Sequence, residues 1–268
     1  MTEELPEIAL TEQEIDQILR GCAGRALLVG DQALAFWAQY YQVKPLGVLA
    51  VNVTSDADFI GPAQIARDLS RSLKPMGWRY WQPSPEDATP QTAKLSKRLE
   101  GQGIKQIDFL ANIVGLRTDS IQRRAVLLNL ADGTRLRVLH PLDVLESRLR
   151  NLAELASKRS PQGIAQARLA IEIVRSFLEQ MLPEEPPRRL LDAIERVIRM
   201  ARDESLETVF HDYTFDLLAA VPSDRVSSED FRTRRWPQVL ALMGEQRQAH
   251  ARRRAKLTSA SPKRKIES

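Results

Sequence analysis

The feature that most constrains the fold is a change of hydrophobic period at His140-Pro141. Beyond it, Leu142, Leu145, Leu149, Leu152 and Leu155 recur at spacings of three and four. So do Ile164, Ala167, Ile171, Val174 and Leu178, and then Leu190, Leu191, Ile194, Val197, Ile198 and Ala201. Such stripes are the apolar faces of helices packing on one another. Pro183 and Pro186-Pro187 separate the second stripe from the third. A fourth helix is expected from about Leu206 to Pro222, and a fifth from about Ser228, carrying Phe231, Trp236, Leu240 and Met243.

Before His140 the pattern is mixed. A helix is expected from about Thr11 and another from about Pro62 to Leu73. Gln91 to Leu99 and Ile104 to Leu110 flank Gly101-Gln102-Gly103, and Ala125 to Leu130 and Leu136 to Leu139 flank Asp132-Gly133, which reads as two hairpins. Pro83, Pro85 and Pro90 exclude regular structure from 82 to 90 and make that loop a candidate edge of a site. The expected class is therefore α+β: a mixed-sheet domain over 1–140, a helical bundle over 141–246 and a basic, disordered tail over 247–268. From Arg247 to Lys265 the tail holds eight basic residues and no acidic one. Removing those eight from the formal charge of +4 leaves −4, so the positive charge is local. Such a block is either a solvated tail or a nucleic-acid contact.

Within the mixed part, Val53-Thr54-Ser55-Asp56-Ala57-Asp58-Phe59-Ile60 sets two carboxylates two residues apart in an apolar run. In a strand they share a face about 6.5 Å apart. Bare, they repel by a few kcal/mol in a surface-like dielectric, and a divalent cation removes that repulsion. Upstream, Leu27 to Val29, Gly30 and then Ala33, Leu34, Trp37, Tyr40 and Tyr41 read as strand, glycine turn and helix. The amides at such a helix start can receive phosphate. Lys105-Gln106-Ile107-Asp108-Phe109-Leu110 places a third carboxylate near the end of another strand.

On these residues the chain resembles the polymerase-beta-like nucleotidyltransferases, in particular the bacterial branch of minimal nucleotidyltransferases and abortive-infection toxins. The resemblance rests on the Gly30 turn and its helix, on Thr54-Ser55-Asp56-Ala57-Asp58-Phe59 and on Ile107-Asp108-Phe109-Leu110, and covers roughly residues 22 to 182. It implies magnesium or manganese held by Asp56, Asp58 and Asp108, with Asp108 also helping to deprotonate an attacking hydroxyl. It also implies that Gly30, Asp31 and Ser55 contact a nucleoside triphosphate. Lys158, at the end of the first bundle helix, either reaches the triphosphate or complements the helix C-terminus. The implied reaction moves a nucleoside monophosphate from a triphosphate to a hydroxyl of RNA, protein or a small molecule. Within that branch, transfer RNA is an expected acceptor and an antitoxin protein an expected partner.

One departure stands out. Where the family has a second glycine or a serine, this chain has Asp31. As a helix N-cap, Asp31 would compete with phosphate for the same amides; turned toward the metal, it would add a ligand. The competing function is accordingly a non-catalytic descendant that binds nucleotide or a partner.

The remaining composition narrows the setting. Cys22 is the single cysteine, which precludes an internal disulfide and suits a reducing cytoplasm; it reads as a small core residue. Met1 to Pro6 is acidic and lacks the apolar segment of a secretory signal, and no run is long enough to span a membrane. His140, His211 and His250 are too far apart in sequence to suggest zinc.

Overall fold

The computed structural model describes residues 5–44, 56–84, 86–130, 132–183 and 187–260. The class is α+β, with a seven-stranded mixed sheet followed by helices. Thr11 opens α1 (Glu12–Cys22) with a reciprocal cap, its hydroxyl accepting from the Glu14 amide while the Glu14 carboxylate accepts from the Thr11 amide. Then come β1 (Leu27–Leu28), α2 (Gly30–Tyr40), β2 (Asp56–Ile60), α3 (Ala63–Leu73) and β3 (Arg79–Trp81). The long hairpin of β4 (Gln91–Leu99) and β5 (Gly103–Leu110) follows. After α4 (Thr118–Arg124), a second hairpin joins β6 (Val126–Asn129) to β7 (Arg135–Val138). The sheet order is β3-β4-β5-β2-β1-β7-β6, with β2 parallel to β5, β1 parallel to β7 and the other pairs antiparallel.

Period-two alternation gives the sheet two unlike faces. In β5, Gly103, Lys105, Ile107 and Phe109 are buried while Ile104, Gln106, Asp108 and Leu110 are half-buried. The buried face lies under α1 and α3, which pack on each other and, through α3, on β3 and β4. The opposite face carries Asp58, Asp108, Gln106 and Lys94.

The helical part comprises α5 (Pro141–Glu154), α6 (Pro161–Gln180), α7 (Arg188–Ala201), α8 (Glu207–Asp212) and α9 (Trp236–Ala260). His140 caps α5, its Nδ1 accepting from the Leu142 amide at 3.2 Å. Burial pushes that imidazole down to about 4, so it is the neutral acceptor the cap requires. The Trp37 indole donates to the Leu139 carbonyl at 2.7 Å, which ties α2 to the entry of α5. Buried residues from Leu10 to Met243 form one continuous core. Cys22 belongs to it, with its thiol pushed up to about 12 by burial, as a core residue should be.

Four elements depart from the sequence expectation. β3 and α4 are too short to leave a periodic signal. The helix expected up to Pro222 ends at Asp212, with Thr214 in the left-handed region at φ 55° and a 3-10 turn over Leu217–Ala220. Finally, the stretch expected to be a disordered tail from 247 continues α9 as far as Ala260. Two of its basic side chains have partners that sequence distance concealed: Arg247 pairs with Asp216 at 3.0 Å and Arg253 with Glu207 at 3.1 Å. Among the described residues no helix is long and apolar enough to cross a membrane.

On the covered face, Lys105 is buried and its ammonium meets Glu14 at 2.6 Å, with Lys97 at 3.3 Å. Burial alone would raise the Glu14 pKa, but Lys105, the Thr11 amide and Lys97 together hold it at about 2. Folding therefore lowers this carboxyl from 4.5, and the stabilisation is complete above pH 4.5 and lost as pH falls toward 2. Glu14→Gln is expected to destabilise the protein by about 3 kcal/mol at pH 7, because it strands a buried ammonium. Denaturant titrations at pH 7, 4 and 2.5 should show the gap between variant and wild type closing across that window.

Candidate active site

The site is assembled by strand register. β2 and β5 run parallel with Asp58 opposite Asp108 and Asp56 opposite Gln106. Adjacent strands lie about 4.8 Å apart, so Asp58 and Asp108 are lateral neighbours on the half-buried face. Asp56, two residues before Asp58, opens the same strand. Ser55 lies outside the described residues.

Gly30 closes the site from above. The Val29 amide donates to the Asp58 carbonyl at 2.9 Å, and α2 begins at the next residue. Gly30 sits at φ +62°, and a Cβ there would fall 2.2 Å from Asp58 Oδ2 and 2.9 Å from Asp58 Cβ. Only glycine allows the helix start to approach the carboxylate this closely.

Asp31 is not the N-cap. That position belongs to Val29, which makes no side-chain cap bond, and Asp31 lies in the first turn of α2. Its carboxylate turns to the helical part, where Oδ1 meets Arg148 Nη1 of α5 at 2.6 Å and Oδ2 accepts from Gln166 Nε2 of α6 at 2.7 Å. The reason is Arg148 itself. Its side chain is only 6% exposed, and a charge so buried requires a partner. Lys158 is exposed in a 3-10 turn between α5 and α6, with no bond to the aspartates, and Gly163 packs against its carbonyl.

Asp108 has neighbours that sequence reading passed over. Its Oδ1 accepts from Gln91 Nε2 at 2.9 Å and lies 3.5 Å from Lys94 Nζ, which also donates to Gln106 Oε1 at 2.7 Å. Gln106 in turn donates to Glu7 at 2.6 Å. Burial raises the Asp108 pKa against the opposing pull of Lys94, which gives this carboxyl a greater proton affinity than a free aspartate. The signal for Lys94 was present: counting five residues back from Leu99 and five forward from Gly103 in the β4–β5 hairpin arrives at Lys94 and Asp108.

The histidines also need correcting. His211 and His250, far apart in sequence and so not expected to form a metal site, stack with centroids 3.8 Å apart, and Glu207 lies 3.2 Å from His250 Nδ1. Ligand atoms of these three residues fall within 4.8 Å of one another, joining α8 to α9 rather than to the aspartates.

The carboxylate pair suits a hard divalent cation, since oxygen donors on neighbouring strands leave coordination positions open to phosphate and water. No protein-family model matches the chain, and no curated protein matches it. Among solved structures it is similar to the Megavirus polyadenylate synthase, at 12% identity and a TM-score of 0.39, over 67% of this chain and 38% of that one. The chain thus spans well under half the length of that protein.

Two substitutions test the geometry. Asp31→Asn should cost about 3 kcal/mol by leaving Arg148 buried without its counter-charge, several times the loss of a helix cap; denaturant unfolding measures the difference. Gly30→Ala should cost roughly 1–3 kcal/mol through its backbone conformation alone, and should displace the Asp58 carboxylate as well. Its signature is a drop in divalent-metal affinity larger than the drop in stability accounts for.

Proposed function

We propose that this protein is a metal-dependent nucleotidyltransferase, moving a nucleoside monophosphate from a nucleoside triphosphate to a hydroxyl group with release of pyrophosphate. The observation that carries the reading is the register pair Asp58–Asp108 beneath the Gly30 turn. In-line transfer at phosphorus asks little covalent chemistry of a protein and much charge neutralisation, which carboxylate-held magnesium or manganese supplies when bound. Asp56, Asp58 and Asp108 are the residues that would hold it.

The chain's own groups have distinct tasks in this reading. Asp58, pinned under Gly30, keeps its carboxylate fixed where the triphosphate must dock. The start of α2 offers its positive end to phosphate, with Asp31 drawn aside by Arg148 and Gln166 rather than capping the helix. Asp108, with raised proton affinity, is suited to accept the proton of the attacking hydroxyl. Gln91 orients it through Oδ1. Lys94 adds one positive charge beside the carboxylates and steadies Gln106.

A second reading draws on that same lysine. An ammonium 3.5 Å from Asp108 is a built-in cation, and in a non-catalytic nucleotide-binding protein it would stand where the metal otherwise acts. The experiment that separates the two incubates the protein with labelled nucleoside triphosphates, magnesium or manganese, and RNA, protein and small-molecule acceptors. Catalysis predicts metal-dependent label transfer, reduced roughly 10²- to 10⁴-fold by Asp108→Asn with the melting temperature unchanged or raised, since a neutral amide sheds the cost of burying a carboxylate. The non-catalytic reading predicts no transfer under any condition, and a gain of magnesium affinity in Lys94→Met.

A further inference from the structure

Beyond the C-terminal end of β5 the chain turns into α4, and Thr118 Oγ1 donates to the Ala111 carbonyl at 3.2 Å. Ala111 is three residues past Asp108, about 10 Å of extended chain, and α4 begins one hydrogen bond beyond it. At this point α4, α5 and α7 border an open pocket of about 400 Å³, whose lining includes Arg117, Arg124, Arg196, Arg199, Glu146 and Asp203. Four guanidiniums thus face two carboxylates.

Every acid in the neighbourhood is already engaged. The fully buried Asp143 is shared by Arg124, at 2.6 Å, and by Arg196; Arg196 also takes Glu146 at 2.9 Å. Asp203 is held by Arg150 and Ser205. Even so, Arg196 Nη1 is buried with no hydrogen-bond partner, so the network has more donors than acceptors. Arg117 and Arg199, both exposed, make no side-chain hydrogen bond or close ion pair among the described residues; Arg199 lies in the field of Glu195, whose carboxylate is held directly by Arg235. Two guanidinium forks with no hydrogen bond of their own at the rim of a cation-rich cavity suit a tetrahedral oxyanion, because each fork can pair two phosphate oxygens.

We propose that this cavity binds phosphate groups on the acceptor side of the aspartates. Its placement relative to the reaction rests on the nucleotidyltransferase reading; the binding itself does not. The phosphates could be supplied by a polynucleotide strand or by free phosphate compounds, and the test separates these sources. Affinity for a short labelled single-stranded RNA and for inorganic pyrophosphate is measured with wild type, Arg117→Gln/Arg199→Gln and Arg252→Gln of α9, at several salt concentrations.

For a strand source, the double variant should bind the RNA at least tenfold more weakly, with a slope of log affinity against log salt reduced by about 1.4, as two lost single-strand phosphate contacts require. For a free-phosphate source, the tenfold loss falls on pyrophosphate instead. In either case Arg252→Gln and the melting temperature stay at wild-type values. The proposal is overturned if neither affinity falls in the double variant, or if Arg252→Gln lowers them equally. Asp108→Asn keeps the two readings apart: intact phosphate binding without label transfer from any protein form leaves the cavity standing and removes the nucleotidyltransferase assignment.

Discussion

A guanidinium buried among helices must be neutralised, and Arg148 is neutralised by Asp31. The contact joins α5 to the first turn of α2, and Gln166 extends it to α6. One residue earlier, Gly30 presses α2 against Asp58 on the sheet. Two consecutive residues therefore fix the same helix start from opposite sides. The position of α2 over the carboxylates depends on both: without Gly30 the close approach is sterically closed, and without Asp31 the helical part loses its charged tie.

The sheet separates two electrostatic tasks by face. Beneath α1 and α3, Lys105 and Glu14 are buried together, and their bonds outweigh desolvation strongly enough to hold the acid near 2. On the other face Asp108 has fewer partners and desolvation prevails, raising its pKa. The sign of the shift follows from the number of donors reaching each carboxylate. Glu14 is met by two lysines and the Thr11 amide, while Asp108 has Gln91 and Lys94.

A third cluster, around Asp143, shows the limit of pairing. Arg124 and Arg196 converge on one buried carboxylate, and their field extends into the cavity beside α4. Positive charge is thus concentrated at two places, beside α4 and along α9. On α9, Arg247 and Arg253 are paired with Asp216 and Glu207, whereas at the cavity rim Arg117 and Arg199 make no close ion pair among the described residues. Composition drew attention to the C-terminal block because its charges are consecutive; the cavity arginines are dispersed over 83 positions and only folding brings them together.

What the sequence determined by itself was local. Apolar period marked α5, α6 and α7 and the start of α1 near Thr11, and the Gly101–Gly103 and Asp132-Gly133 turns marked both hairpins, because each depends on residues within a few positions of one another. The strand placement of Asp58 and Asp108 was legible for the same reason. Only the tertiary structure decided that β2 pairs in parallel with β5 and sets those two aspartates side by side, since parallel register is fixed by packing through distant helices and not by a turn. The same holds for Asp31. Locally it has the chemistry of a cap, but a buried arginine 117 residues away offers a stronger interaction, and no local pattern encodes a partner at that separation.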